Sequence, residues 1–214
     1  MSIFKQLCRT LVLSAVVVAL SVGLMGCPDT PPDDEDNNQS GVGNRCGVDG
    51  TAGSCRTVKI GNQTWMAENM NKETAESWCY NDSAENCKKY GRLYSWYAAA
   101  GVCPIGWHLP SRDEWEKLVV AAGDVPANGL KSASGWCCNA GGSDYLGFAA
   151  LPSGHRHFTG AFGEITSKVH WWSSTETNID QANCTSIDWD WRNVVTDWES
   201  DKGYGFAVRC VKDD

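Results

Sequence analysis

The cysteines constrain this chain most. Eleven stand among 214 residues, a density that belongs to a disulfide framework in an exported protein rather than to a chain kept reduced in a cytosol. Cys8 and Cys27 fall in an N-terminal segment with its own logic. The other nine are Cys46, Cys55, Cys79, Cys87, Cys103, Cys137, Cys138, Cys184 and Cys210. Nine is odd, so at most four bridges form among them and one thiol is left over. Cys46 and Cys55 frame the Gly-rich stretch CGVDGTAGSC, which suits a local staple, and Cys79 and Cys87 bracket the polar turn NDSAEN, a second short staple. A zinc framework is not expected. No C-x-x-C pair is present, and none of the four His stands at ligand spacing from a Cys pair.

The N-terminus explains the compartment. Lys5 and Arg9 form a basic region, and Leu11 to Met25 is an apolar run too short for a membrane span of about 20 residues. It ends in Leu24-Met25-Gly26-Cys27, which resembles the lipobox of bacterial lipoprotein signals. Residues 1–26 are therefore expected to be a signal peptide, and Cys27 to be acylated after cleavage. Several acyl chains hold a protein at a membrane far better than one. Residues 27–45 carry three prolines and five acids with no aromatic side chain, so they bury too little to fold and are expected to form an extended acidic tether. Residues 46–214 suit a single domain.

The signal residues hold two of the 18 basic residues and none of the 26 acidic ones, so cleavage takes the net charge from −8 to −10. A charge of that sign argues against a nucleic-acid partner and against electrostatic adhesion to an anionic membrane. The partners expected are the membrane, through the lipid anchor, and a polysaccharide or an envelope protein. The location expected is a bacterial cell envelope, with the outer membrane or cell surface favoured.

Within the domain, Thr57–Ile60 and Gln63–Met66 flank Gly61-Asn62 and predict a hairpin. From Arg92 to Val102, the i, i+3, i+4, i+7 stripe Leu93, Trp96, Tyr97 and Ala100 predicts a helix. A second helix is predicted from Ser111, where Ser111 and Glu114 form an S-x-x-E capping box, to Gly123, with Trp115, Leu118, Val119 and Ala122 on one side. Residues 125–147 read as a long loop region and His155-Arg156-His157 as another loop. Strands are predicted over Val169–Thr175, over Cys184–Trp191 and over Gly203–Val211. In the second of these, Ile187, Trp189 and Trp191 alternate with Asp188 and Asp190.

Several ordered stretches, GNQTWMAENMN, CYNDSAENCKKYGRLYSWYAAAGVCPIGWHLPSRDEWEKL, WWSSTE and KGYGFAVRCVKD, closely resemble the Fibrobacter succinogenes major paralogous domain, from about Cys46 to Asp214. GWHLPSRDEWEKL, WWSST and GFAVRC also look like the formylglycine-generating-enzyme and C-type-lectin-like superfamily. The resemblance implies an α+β, C-type-lectin-like fold, disulfide-stapled. In it two helices flank a small twisted antiparallel sheet with long loops, and the ends of the domain meet. It implies a long bridge between Cys103 and Cys210, closing a loop of about 100 residues and contributing ~4.7 kcal/mol in the chain-entropy model. Cys184 would then pair with Cys137 or Cys138, leaving the other as the odd thiol.

No catalytic residue, cofactor or metal is expected. The Glu-Pro-Asn, Gln-Pro-Asp and Trp-Asn-Asp motifs of calcium-dependent lectins are missing, and the acids Asp180, Asp188, Asp190, Asp197, Glu199 and Asp201 read as a solvated face. His155 and His157 read as surface residues. The eleven Trp residues offer large amphipathic faces of the kind that stack on sugars or partner proteins. Trp136, Trp171, Trp172 and Trp198, with Asp188 and Asp190, are the candidate ligand-binding residues. Trp171 and Trp172 are singled out because neighbours on a strand point to opposite faces and cannot share one core. A non-catalytic binding module for a glycan or protein is expected. The alternatives are an oxidoreductase related to the formylglycine-generating enzymes, using copper and a thiol pair, and a structural envelope protein without a small ligand.

Overall fold

The computed structural model describes residues 46, 47, 49–53, 55–190 and 192–214. The signal segment, Cys27, the tether and Trp191 lie outside the described residues. None of the described helices is long and apolar enough to cross a membrane.

In chain order the strands and helices are β1 (Thr57–Ile60), β2 (Gln63–Met66), β3 (Ser77–Trp78), α1 (Ala84–Tyr90), β4 (Leu93–Tyr94), α2 (Trp96–Ala99), β5 (Trp107–His108), α3 (Arg112–Ala121), α4 (Pro126–Leu130), β6 (Ser153–Arg156), β7 (Phe162–Ile165), β8 (Lys168–Glu176), β9 (Gln181–Asp188), β10 (Val195–Asp201) and β11 (Val211–Lys212). Among the described residues they build one sheet in the order β1-β2-β11-β5, a larger one in the order β10-β9-β8-β6-β7, and the small pair β3-β4. This is a mixed α+β architecture with few helices, small sheets and disulfides.

The β1–β2 hairpin turns at Gly61, whose φ of +58° favours a residue without Cβ. The last strand closes the domain on its beginning, because Val211 pairs with Trp65 on one side and His108 on the other. Cys210, one residue earlier, is bonded to Cys103 with Cα atoms 5.9 Å apart. Cys46–Cys55 and Cys79–Cys87 form the two short bridges.

Helix α3 starts on its capping box: Ser111 Oγ accepts from the Glu114 N–H at 3.3 Å, and Glu114 Oε2 accepts from the Ser111 N–H at 2.8 Å. Trp115 and Leu118 are its buried residues. The helix anticipated over Arg92–Val102 is different. Leu93–Tyr94 is extended and pairs with Ser77–Trp78, and Tyr94 also bridges Phe206. Only Trp96–Ala99 is helical, capped by Ser95, and Tyr97 is 61% exposed. Strand partners distant in sequence override a local helical spacing. The final strand is also shorter than its composition suggests: Phe206 and Ala207 make isolated bridges, and only Val211–Lys212 joins a ladder.

Two apolar clusters sandwich β8. On one side Trp65, Trp115, Phe148 and Trp171 pack together, with Trp65 and Trp115 centroids 4.7 Å apart. On the other, Trp172 packs with Tyr94, Cys184 and Phe206. This corrects the binding role given to the tryptophan pair. Trp171 and Trp172 do point to opposite faces, but both faces are covered and both side chains are 0% exposed. Trp136 is also buried, donating through Nε1 to Ala150 O at 3.0 Å.

The cysteine pairing needs a correction too. Cys184 is buried in β9 against the second cluster and carries a free thiol; burial pushes that thiol up to about 12. Cys137 is disulfide-bonded, and Cys138 beside it is an exposed thiol, so neither is joined to Cys184. Cys184 sits mid-strand with Trp172 and Trp198 opposite it, so neither ladder neighbour offers it a second thiol.

A candidate site on the open half of the larger sheet

The register of the larger sheet places chemistry on one face. Along β8, Lys168, His170 and Trp172 alternate onto the same side. Their partners on β9 are Asp188, Ser186 and Cys184, and Trp198 on β10 lies opposite Cys184. The second apolar cluster covers the Trp172–Cys184 end of this face. The Lys168–His170 end opens into a cleft of about 430 Å³, lined among others by Lys168, His170, Trp198, Asp201, Tyr204 and Phe206.

Strand β6 runs parallel to β8 with Gly154 level with Val169. One residue further on, His155 and His170 therefore lie side by side, their ring centroids 5.7 Å apart. On the other flank His155 pairs with Gly163 of β7. A Cβ on Gly163 would stand 3.3 Å from the His155 ring, so glycine leaves the imidazole its room. In a regular strand Glu164 would face away from this group. Its left-handed backbone, φ +64°, breaks the alternation inside β7, a departure that costs about 1–2 kcal/mol in a residue with a Cβ.

Glu164 is the hub of the cluster. Its Oε2 lies 3.0 Å from His155 Nδ1 and 2.8 Å from His170 Nε2. Burial pushes the carboxyl up, but the hydrogen bonds and charge of the two imidazoles outweigh it, and Glu164 titrates well below the usual carboxylate range. His170 is 7% exposed and stacks on Phe206 at 4.8 Å. Burial lowers its pKa against the opposing pull of Glu164, and its Nδ1 is buried with no hydrogen-bond partner. The three ligand-type atoms of His155, Glu164 and His170 lie within 4.8 Å of one another. Two imidazoles and one carboxylate can hold a proton between them or donate to a first-row transition metal.

The cleft is aromatic above this cluster and acidic at its rim. The main chain of Gly205 exchanges hydrogen bonds with Arg156 at 2.9 and 2.7 Å, which seats Tyr204 and Phe206 over β6. Phe158 packs on Tyr204 at 5.6 Å and is 56% exposed. Trp198 is 54% exposed, with the Lys168 ammonium 5.9 Å from its ring centroid.

Of the six candidate binding residues, then, Trp198 lines the cleft, and Asp188 borders it through its contact with Lys168 at 3.7 Å. Asp190 faces a separate depression with Lys131 and Arg192. Trp136, Trp171 and Trp172 are core. His155 lies on a strand rather than in a loop. His170 and Glu164 went unremarked in the sequence because their convergence depends on a parallel strand pairing and one left-handed residue. The alternation of His170 with Trp172 was the one local sign that His170 sits on a structured face.

A family model described as the Fibrobacter succinogenes major domain matches residues 58–212. No curated protein matches the chain significantly. No solved structure does either.

Proposed function

The chain belongs to the Fibrobacter succinogenes major domain family, and on that premise we propose that it is a lipid-anchored protein of a bacterial cell envelope whose lectin-like domain binds a polysaccharide without catalysing a reaction. The observation that carries this reading is the exposed indole of Trp198 at the rim of the aromatic cleft. Apolar ring faces take the C–H side of a sugar, while nearby carboxylates such as Glu199 and Asp201 accept its hydroxyls. Acylation of Cys27 and the acidic tether would present this cleft away from the membrane. A copper and thiol oxidoreductase is the weaker reading: Cys103 and Cys210 are joined to each other, and Cys184 is enclosed in the core.

The test is a glycan array probed with the full-length protein in detergent, with and without calcium, beside a Trp198→Ala variant. Retention of one glycan class by the wild type and its loss in the variant is the expected result. A blank array for the wild type, or equal retention by the two proteins, overturns the reading.

A further inference from the structure

We propose that His155, Glu164 and His170 form a binding site for a divalent first-row transition cation, zinc in the first instance, at the floor of this cleft.

Convergence is the first argument. Three neighbouring strands each contribute one ligand, and the donor atoms already lie within 4.8 Å of one another. A tetrahedral ion with bonds of about 2.0–2.2 Å spaces its ligand atoms about 3.3 Å apart. The two N···O separations of 2.8 and 3.0 Å are slightly tighter than that. Small side-chain rotations that let the ion replace the shared protons bring all three into range.

The local backbone supplies the second argument. Glu164 holds a left-handed φ within a strand, and Gly163 leaves space for the His155 ring. Both features serve to aim side chains at one point rather than to pack a core. Third, the imidazoles are differently supported: His170 is enclosed, whereas His155 is 20% and Glu164 39% exposed at the side chain, so an ion has a route in from the cleft. Glu199 and Asp201 at the rim favour a cation, and Lys168 opposes it.

The donor set also selects the ion. Calcium takes six to eight oxygens, whereas imidazole nitrogens with one carboxylate suit zinc, copper, iron or nickel. Three protein ligands leave a coordination position for water or for a ligand oxygen.

The test uses full-length protein in detergent, stripped with a chelator, in a Cys138→Ser background so that the surface thiol adds nothing. Zinc alone is titrated by calorimetry, and bound metal is counted by mass spectrometry. One zinc per chain with a raised melting temperature is expected. His155→Ala and Glu164→Gln should each weaken binding by at least about tenfold, in line with the loss of a metal ligand or its support. Near-UV circular dichroism verifies that each variant is folded, and the cobalt form should show a d–d spectrum that both variants alter. Failure of the wild type to take up zinc, or unchanged affinity in the two folded variants, overturns the site. Trp198→Ala keeps all three ligands and should bind zinc normally, so this outcome is separable from the polysaccharide reading.

Discussion

Asn69 and Arg209, 140 residues apart, meet in the core: Asn69 Oδ1 accepts from Arg209 Nε and Nη2 at 3.1 and 2.9 Å. The same oxygen accepts from Trp171 Nε1 at 2.9 Å. The guanidinium is 1% exposed, bonds to Phe148 O, and lies 4.2 Å from the Phe148 ring centroid. Burial pulls its pKa down to about 9. One amide oxygen thus ties the segment after β2, the middle of β8 and the approach to β11 into a single charged node.

Asn69→Ala should therefore destabilise the protein by about 3 kcal/mol, because it strips hydrogen bonds from a buried charge and strands the Trp171 N–H. Urea denaturation gives the value directly. A loss below about 1 kcal/mol would mean that the Phe148 carbonyl and the aromatic rings suffice to hold Arg209.

Two tryptophans that flank Cys184 on neighbouring strands should behave in opposite ways. Trp172 is 0% exposed, packs 4.5 Å from Phe206, and donates to Tyr94 O at 2.7 Å. Trp172→Ala should cost about 3–5 kcal/mol. Trp198→Ala, at a half-exposed rim position, should change stability by no more than about 0.5 kcal/mol. Thermal melts of the two variants side by side decide this.

A pH effect is expected at the closure of the domain. His108 sits between two carboxylates, with Nδ1 2.6 Å from Asp213 and Nε2 2.7 Å from Glu114; Lys117 and Lys212 are the nearby cations. Partial burial lowers the His108 pKa, but the two acceptors outweigh it and the net shift is upward from 6.5. Burial raises Glu114, yet its bonds from Ser111 and His108 carry it below 4.5. A raised histidine contributes stability that is complete below its unfolded value and is lost as pH climbs through the folded value. For Glu114 the contribution is complete above its unfolded value and is lost as pH falls through the folded one. The difference in melting temperature between wild type and His108→Ala should thus be greatest at about pH 5–6 and shrink toward pH 8. A difference that grows with pH would contradict the arrangement.

The thiol of Cys184 should resist labelling. It is enclosed in the core and its ionisation is suppressed by burial, and the thiolate is the nucleophile. Maleimide should leave it untouched in native protein and modify it once guanidinium unfolds the chain. Peptide mapping by mass spectrometry reports the site, with Cys184→Ala as the control. Rapid native labelling at this residue would place it outside the core.

Local features were legible where their causes are local. The Ser111–Glu114 capping box and the Gly61 hairpin each rest on residues within one turn of one another, and both stand in the structure. The stripe from Leu93 to Ala100 misled because Leu93 and Tyr94 find strand partners in Ser77–Trp78 and Phe206, and a helical spacing carries no record of such partners. The candidate site was legible in one part only. Trp198 could be proposed as an exposed aromatic residue, but nothing near it in sequence announced His155, Glu164 and His170. They meet because β6 runs parallel to β8 and because Glu164 takes a left-handed φ in β7, neither of which the fifteen-residue spacing from His155 to His170 encodes.

From the order of residues alone came the elements whose hydrogen bonds close over short distances, the acidic balance, and a cysteine content that implies covalent staples. Packing decided the rest. Whether both faces of β8 are covered is a property of the whole domain, so only the assembled structure could move Trp171 and Trp172 into the core, leave Cys184 as an enclosed thiol, and bring two imidazoles to one carboxylate. Burial and long-range strand register depend on which segments end up adjacent, and that information is spread over the entire chain.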